Sequence, residues 1–193
     1  METGDMDTET CDRTGPRSLL LNGPSGIGES STLGALGRLL ATRHIPHALI
    51  DLDHLTLSWP RPEDDPWGGR IARANLELVA STYRRAGVKR IAVAHVFTEL
   101  EFLDGCRAAL GEGTDSQGPT IPLVRLRASP VVVADRLRAR HAHDAPWELE
   151  GFLAGQVELA EALERAGLDD VVIDVGGLSP LQVAEKVADA VGW

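Results

Sequence analysis

The stretch Leu19-Leu20-Leu21-Asn22-Gly23-Pro24-Ser25-Gly26-Ile27-Gly28-Glu29-Ser30-Ser31-Thr32 decides the reading of this chain. A short apolar run enters a glycine-rich turn, and a helical pattern leaves it. The arrangement matches the phosphate-cradling pattern G-x-x-x-x-G-K-[ST] at every defined position but one. Gly23, Gly26 and Gly28 permit backbone angles and close approaches that a Cβ would block. Pro24, Ser25 and Ile27 complete the loop, and successive N–H groups through Ser31 can wrap an anion at the positive end of the following helix. Ser30 stands where a Mg²⁺-binding hydroxyl belongs. The lysine position holds Glu29.

That one letter has a large electrostatic consequence. Two unit charges about 4 Å apart at an effective dielectric of about 20 interact by about 4 kcal/mol. Replacing a lysine beside the β- and γ-phosphates by a carboxylate turns attraction into repulsion. The penalty is several kcal/mol, or roughly three to five powers of ten in affinity or rate. Three arrangements relieve it: Glu29 turns to solvent, an extra metal bridges it to phosphate, or the loop serves a cationic or neutral ligand. Lys89 and Lys186 are the only lysines, and neither lies near the loop in sequence.

The 193 residues suffice for one α/β domain with a substantial core. With 43% apolar and 25% charged residues the composition is that of a soluble globular protein. A formal charge of −10 argues against a nucleic-acid-binding surface, which needs clustered cations. Cys11 and Cys106 have no metal-ligand spacing and read as reduced thiols. No secretory leader or membrane-length apolar run is visible, so the expected location is cytoplasmic, with no membrane partner.

Working outward from the loop, residues 1–16 are polar and acidic and read as a disordered tail; 17–193 form the domain. Strands are expected at 17–22, 48–50, 90–97, 121–126 and 171–175. Helices are expected at about 30–43, 70–86, 98–110, 130–140, 147–165 and 180–191. Strands that are apolar throughout, alternating with helices, predict a five-stranded parallel sheet covered on both faces. The segment 54–69 is broken by Pro60, Pro62 and Pro66 and is long for a connector, which favours a binding loop.

In parallel α/β sheets the ligand lies beyond the carboxyl ends of the strands. Asp51 and Asp53 fall there, two residues apart and so on one side of an extended segment. They suit a Mg²⁺–water shell, a base for a substrate hydroxyl, or the plainer role of turn and cap. His95 breaks the otherwise apolar strand at 90–97 and reads as a contact to substrate or to the metal's water shell, or as a satisfied core residue. Arg136 and Arg140, at i, i+4 spacing, either compensate triphosphate charge from a closing lid or form a solvated face. Trp59, Trp67 and Arg70 either line an acceptor pocket or pack ordinarily. His141 and His143 resemble a metal pair only superficially.

Taken together, these motifs resemble the nucleoside-monophosphate-kinase-like branch of P-loop small-molecule kinases, which includes gluconate kinase, shikimate kinase, chloramphenicol phosphotransferase and adenylylsulfate kinase. The resemblance runs through nearly all of the chain after residue 16. It rests on the loop, on Asp51-Leu52-Asp53 after the second strand, and on Arg136-Leu137-Arg138-Ala139-Arg140-His141 before a helix containing Gln156 and Glu158. It implies a three-layer P-loop NTPase fold with a helical lid and ATP with Mg²⁺ as cofactors, the metal held through Ser30 and Asp51. It also implies a small-molecule acceptor whose hydroxyl faces Asp53, in a monomer or homodimer. Two functional readings follow. One is an ATP-dependent phosphotransferase impaired or specialised by Glu29. The other is an inactive pseudokinase that binds a ligand or partner.

Overall fold

The computed structural model describes residues 17–111, 114–115, 118–119, 121–143 and 146–193; the expected tail at 1–16 lies outside them. The chain begins with β1 (Ser18–Asn22) and α1 (Glu29–Thr42), then β2 (His47–Asp51), a short 3-10 turn (Leu52–Leu55) and α2 (Gly69–Arg85). Next come β3 (Arg90–Ala94), α3 (Leu100–Ala109) and the two-residue strands β4 (Thr114–Asp115) and β5 (Gly118–Pro119). It closes with β6 (Leu123–Arg127), α4 (Pro130–Arg140), α5 (Pro146–Ala166), β7 (Val171–Asp174) and α6 (Pro180–Ala190).

β1 shows why the apolar run makes a central strand. Leu19, Leu20 and Leu21 are all fully buried, Leu19 and Leu21 in one core and Leu20 in another. Alternation in a strand sends neighbouring side chains to opposite faces, so a strand covered on both sides must be apolar at every position. Each buried leucine contributes about 1.5–3 kcal/mol. The five-stranded sheet has the order β2-β3-β1-β6-β7 and every pairing in it is parallel. Helices α1 and α6 pack against each other and share one core with Val133 and Leu137 of α4. Helices α2 and α3 cover the other face through Ala72, Leu76, Leu103 and Cys106. Burial pushes the Cys106 thiol up to about 12, which keeps it protonated and unreactive.

Sheet order places the site. The chain steps from β1 outward to β2, returns to β3, then crosses to β6, so the direction of winding reverses at β1. A crevice opens at such a switch point beyond the carboxyl ends of the strands. The loop after β1, the aspartates at and just beyond the end of β2, and the segment after β3 all converge there.

Two local expectations need correction. β3 stops at Ala94, not residue 97, although the apolar character continues through Val96 and Phe97. The backbone N–H of His95 still donates to the Leu21 carbonyl at 3.1 Å, but Phe97 is held by a side chain instead: Asn22 Oδ1 accepts from Phe97 N at 3.0 Å. The polar segment after α3 contains the short antiparallel pair β4–β5, joined through Thr114 and Pro119. Among the described residues no helix is long and apolar enough to cross a membrane.

Candidate functional site

The loop between β1 and α1 is held open by its own residues. Gly26 and Gly28 take φ values of 84° and 107°, the left-handed region that favours glycine. A Cβ on Gly26 would sit 2.7 Å from Leu137 of α4, and one on Gly23 would sit 2.8 Å from Ile27 Cγ2. Ile27 is buried and its N–H closes a turn onto the Pro24 carbonyl at 3.0 Å, which pins the loop to the core. Gly28 caps α1 without a side chain, so first-turn N–H groups remain open to a ligand.

Arg136 holds this loop from α4. Its Nη1 donates to the Ile27 carbonyl at 2.6 Å and its Nη2 to the Val175 carbonyl at 3.1 Å. The guanidinium expected to meet triphosphate is therefore engaged with backbone. Arg140, one turn further on, lines the cavity, while Arg136 does not.

The cavity has a volume of about 470 Å³. Its floor runs from Ser25 to Ser31 along the loop and on to Asp51 and Asp53. Ser30 Oγ donates to Asp51 Oδ2 at 3.2 Å, and Asp51 Oδ1 accepts from Asp53 N at 3.2 Å, so Asp51 also caps the 3-10 turn. Asp53 Oδ1 lies 2.7 Å from His95 Nδ1. That hydrogen bond holds the Asp53 carboxyl below the usual carboxylate range. The His95 ring is in turn seated against Phe97 and Phe102, at centroid distances of 5.4 and 5.3 Å.

Glu29 stands apart from these satisfied neighbours. Its Oε1 is buried and has no hydrogen-bond partner among the described residues. Burial raises its pKa well above the ordinary glutamate value, and the charges of Asp53 and Asp51 raise it further. Glu29 thus does not turn to solvent; it faces the cavity beside two other carboxylates.

The end of α4 and helix α5 supply a further part of the lining. His141, at the end of α4, stacks on Phe152 of α5 with centroids 4.2 Å apart and planes 23° from parallel, and both line the cavity. Phe152 was missed from sequence; a helical aromatic 43% exposed carries no signal until the helix is placed. Asn22 was missed as well. It ties the start of the loop to the segment carrying His95, donating to the Phe97 carbonyl at 3.2 Å and to Asp169 Oδ1 at 3.1 Å. Its signal was visible: a carboxamide closing an otherwise apolar strand.

Three expected substrate contacts lie outside the cavity. Trp59 and Trp67 are 93% and 86% exposed. Arg70 forms an exposed pair with Asp64 at 2.7 Å. Asp65 from the same acidic run accepts from the N–H groups of Arg70 and Ile71, so that run serves to start α2. His141 and His143 join no group of three or more metal-ligating side chains among the described residues.

Solved structures of the same architecture cover most of this chain. The tunicamycin resistance protein of Deinococcus radiodurans aligns over 92% of this chain and 96% of its own, with a TM-score of 0.62 and 19% identity. A gluconokinase from Sinorhizobium meliloti aligns over 91% and 95%, at TM-score 0.52 and 22% identity. Shikimate kinase from Acinetobacter baumannii, solved in complex with shikimate, aligns over 92% and 93%, at 0.56 and 17%. The fold is that of the P-loop kinases. No protein-family model matches the sequence, and no curated protein matches it.

Proposed function

We propose that the chain is a small-molecule kinase that moves the γ-phosphoryl group of ATP to an acceptor hydroxyl. The observation that carries this reading is the Asp53–His95 pair, 2.7 Å apart, facing the same cavity as the glycine loop. Likeness in fold to a gluconokinase and a shikimate kinase supports it.

The acceptor oxygen attacks the γ-phosphorus as the bond to the bridging oxygen of ADP breaks, and ADP leaves. Asp53 accepts the hydroxyl proton. Its pKa is depressed, so it is a weak base, but phosphoryl transfer passes through a loose transition state and asks mainly for positioning. His95 fixes which Asp53 oxygen faces the acceptor. Ser30 Oγ and Asp51, linked at 3.2 Å, form a hard-oxygen set suited to Mg²⁺, which would neutralise phosphate charge. Arg140 would add a cation from the lid, and Arg136 keeps the loop in shape. A cytoplasmic location suits a protein that draws on ATP.

Glu29 favours a second reading. An unpartnered carboxylate beside the phosphate cradle opposes a triphosphate, which suits a module that binds a ligand without transferring phosphate. The deciding experiment incubates the protein with Mg-ATP and a panel of sugars, nucleosides and aminoglycosides. Phosphorylated product resolved by mass spectrometry supports the kinase; no turnover with any acceptor sinks it.

A further inference from the structure

The three carboxylates of the cavity floor are not equivalent. Asp51 accepts from Ser30 and from the Asp53 backbone, and Asp53 is paired with His95. Only Glu29 presents a buried, unpartnered oxygen to the cavity. A buried polar atom left unsatisfied is costly, and more so when charged. With Glu29 a carboxylate, the missing partner is a donor or a cation; a phosphate oxygen, which only accepts, meets it only when the Glu29 carboxyl is protonated.

Among the described residues no side chain supplies that partner. Lys89 lies beside β3 at the far end of the sheet, where its N–H meets the Pro46 carbonyl, and Lys186 lies on α6. Arg140 reaches the cavity from the lid side. A metal ion caged at Glu29 by protein side chains is not indicated: among the described residues no three His, Cys, Asp or Glu side chains are grouped to hold one. Asp51 and Asp53 line the same cavity as Glu29, and an organic cation placed there brings its own N–H donors. The lining from α4 and α5 points the same way. Phe152, stacked on His141, lines the cavity with it, and an aromatic ring attracts a cation placed over its face.

We propose that the acceptor is an organic amine bearing a hydroxyl group, with its ammonium held by Glu29 under the His141–Phe152 wall. The hydroxyl part of this assignment rests on the kinase reading; the ammonium part does not. An ammonium at Glu29 also restores a positive charge beside the loop. Amine and nucleotide should then bind cooperatively, each raising the other's affinity by the same factor.

The test is calorimetry with the full-length protein and two probe pairs: glucosamine against N-acetylglucosamine, and kanamycin A against its fully N-acetylated form. In the unaltered protein at low salt at least one amine should bind about tenfold or more tightly than its acetylated partner, a difference of about 1.4 kcal/mol. Its presence should tighten ATP binding. In Glu29→Gln, nearly identical in shape, the preference should collapse to less than about twofold. Glu29→Lys, with circular dichroism confirming the fold, should abolish amine binding. Equal binding of amine and acetylated probe, no binding of either, or a preference that survives Glu29→Gln overturns the proposal. Amine preference without phosphate transfer would leave it standing and sink the kinase reading. Transfer to neutral sugars without amine preference would do the reverse.

Discussion

The two ends of the cavity floor differ in how their charges are satisfied. At the acceptor end, Asp53 is paired with His95, whose ring is seated against Phe97 and Phe102. At the loop end, the backbone is equally well held, by Ile27, Leu137 and Arg136, but the side chain at its centre is not. Framework and chemistry therefore separate. The loop keeps its shape through contacts that do not involve Glu29, so a substitution that reverses the charge there should leave the fold intact. Its effect is expected on ligand binding instead.

That contrast can be broken at several points. The largest effect should come from the acceptor end. Asp53→Asn should lower turnover by about 10²–10⁴-fold, the usual range for losing a positioned proton acceptor, with nucleotide affinity nearly intact. Steady-state kinetics beside calorimetry would check both halves. A loss of nucleotide affinity as large as the loss of turnover would mean that Asp53 serves the donor.

Arg136→Ala should come next, as a loss of stability. Two hydrogen bonds from a charged group to half-buried carbonyls disappear together, and about 2–4 kcal/mol is expected in urea unfolding. A variant of unchanged stability but reduced ATP affinity would move Arg136 back to the phosphates. The smallest effect belongs to the exposed tryptophans. Trp59→Ala and Trp67→Ala should shift stability by no more than about 0.5 kcal/mol and leave turnover unchanged. A clear drop in turnover would show that the 54–69 segment closes over the acceptor.

The sequence carried the strand–loop–helix of residues 19–32 because its signals are local: an apolar run, three glycines and a helical pattern. Helix and strand positions followed from the same local periodicity. The errors arose where a distant partner decides. Val96 and Phe97 look like strand, yet Asn22, 75 residues earlier, claims the Phe97 N–H and carbonyl. Arg136 and Arg140 share a helix face by spacing, yet Ile27 and Val175 carbonyls capture one of them. The tryptophans looked like pocket residues because aromatic side chains in a long loop so often are, and nothing local distinguishes an exposed indole. His95 and Asp53, 42 residues apart, were each singled out, but not as a pair. Glu29 was conspicuous from the start, while its burial without a partner could not be read from its neighbours.

The central claim is that Glu29, and not a failure of the loop around it, limits nucleotide binding. The most direct measurement is Mg-ATP titration of the unaltered protein and Glu29→Lys side by side, with no amine present. Gly23, Gly26, Gly28 and Ser30 are already in place, so the single reversal should raise ATP affinity by roughly three to five powers of ten, with a much smaller change for adenosine. The gain should shrink only partly as salt rises, since a water-poor cavity is screened less than a surface. A folded Glu29→Lys protein whose ATP affinity does not differ from that of the unaltered chain would contradict the account.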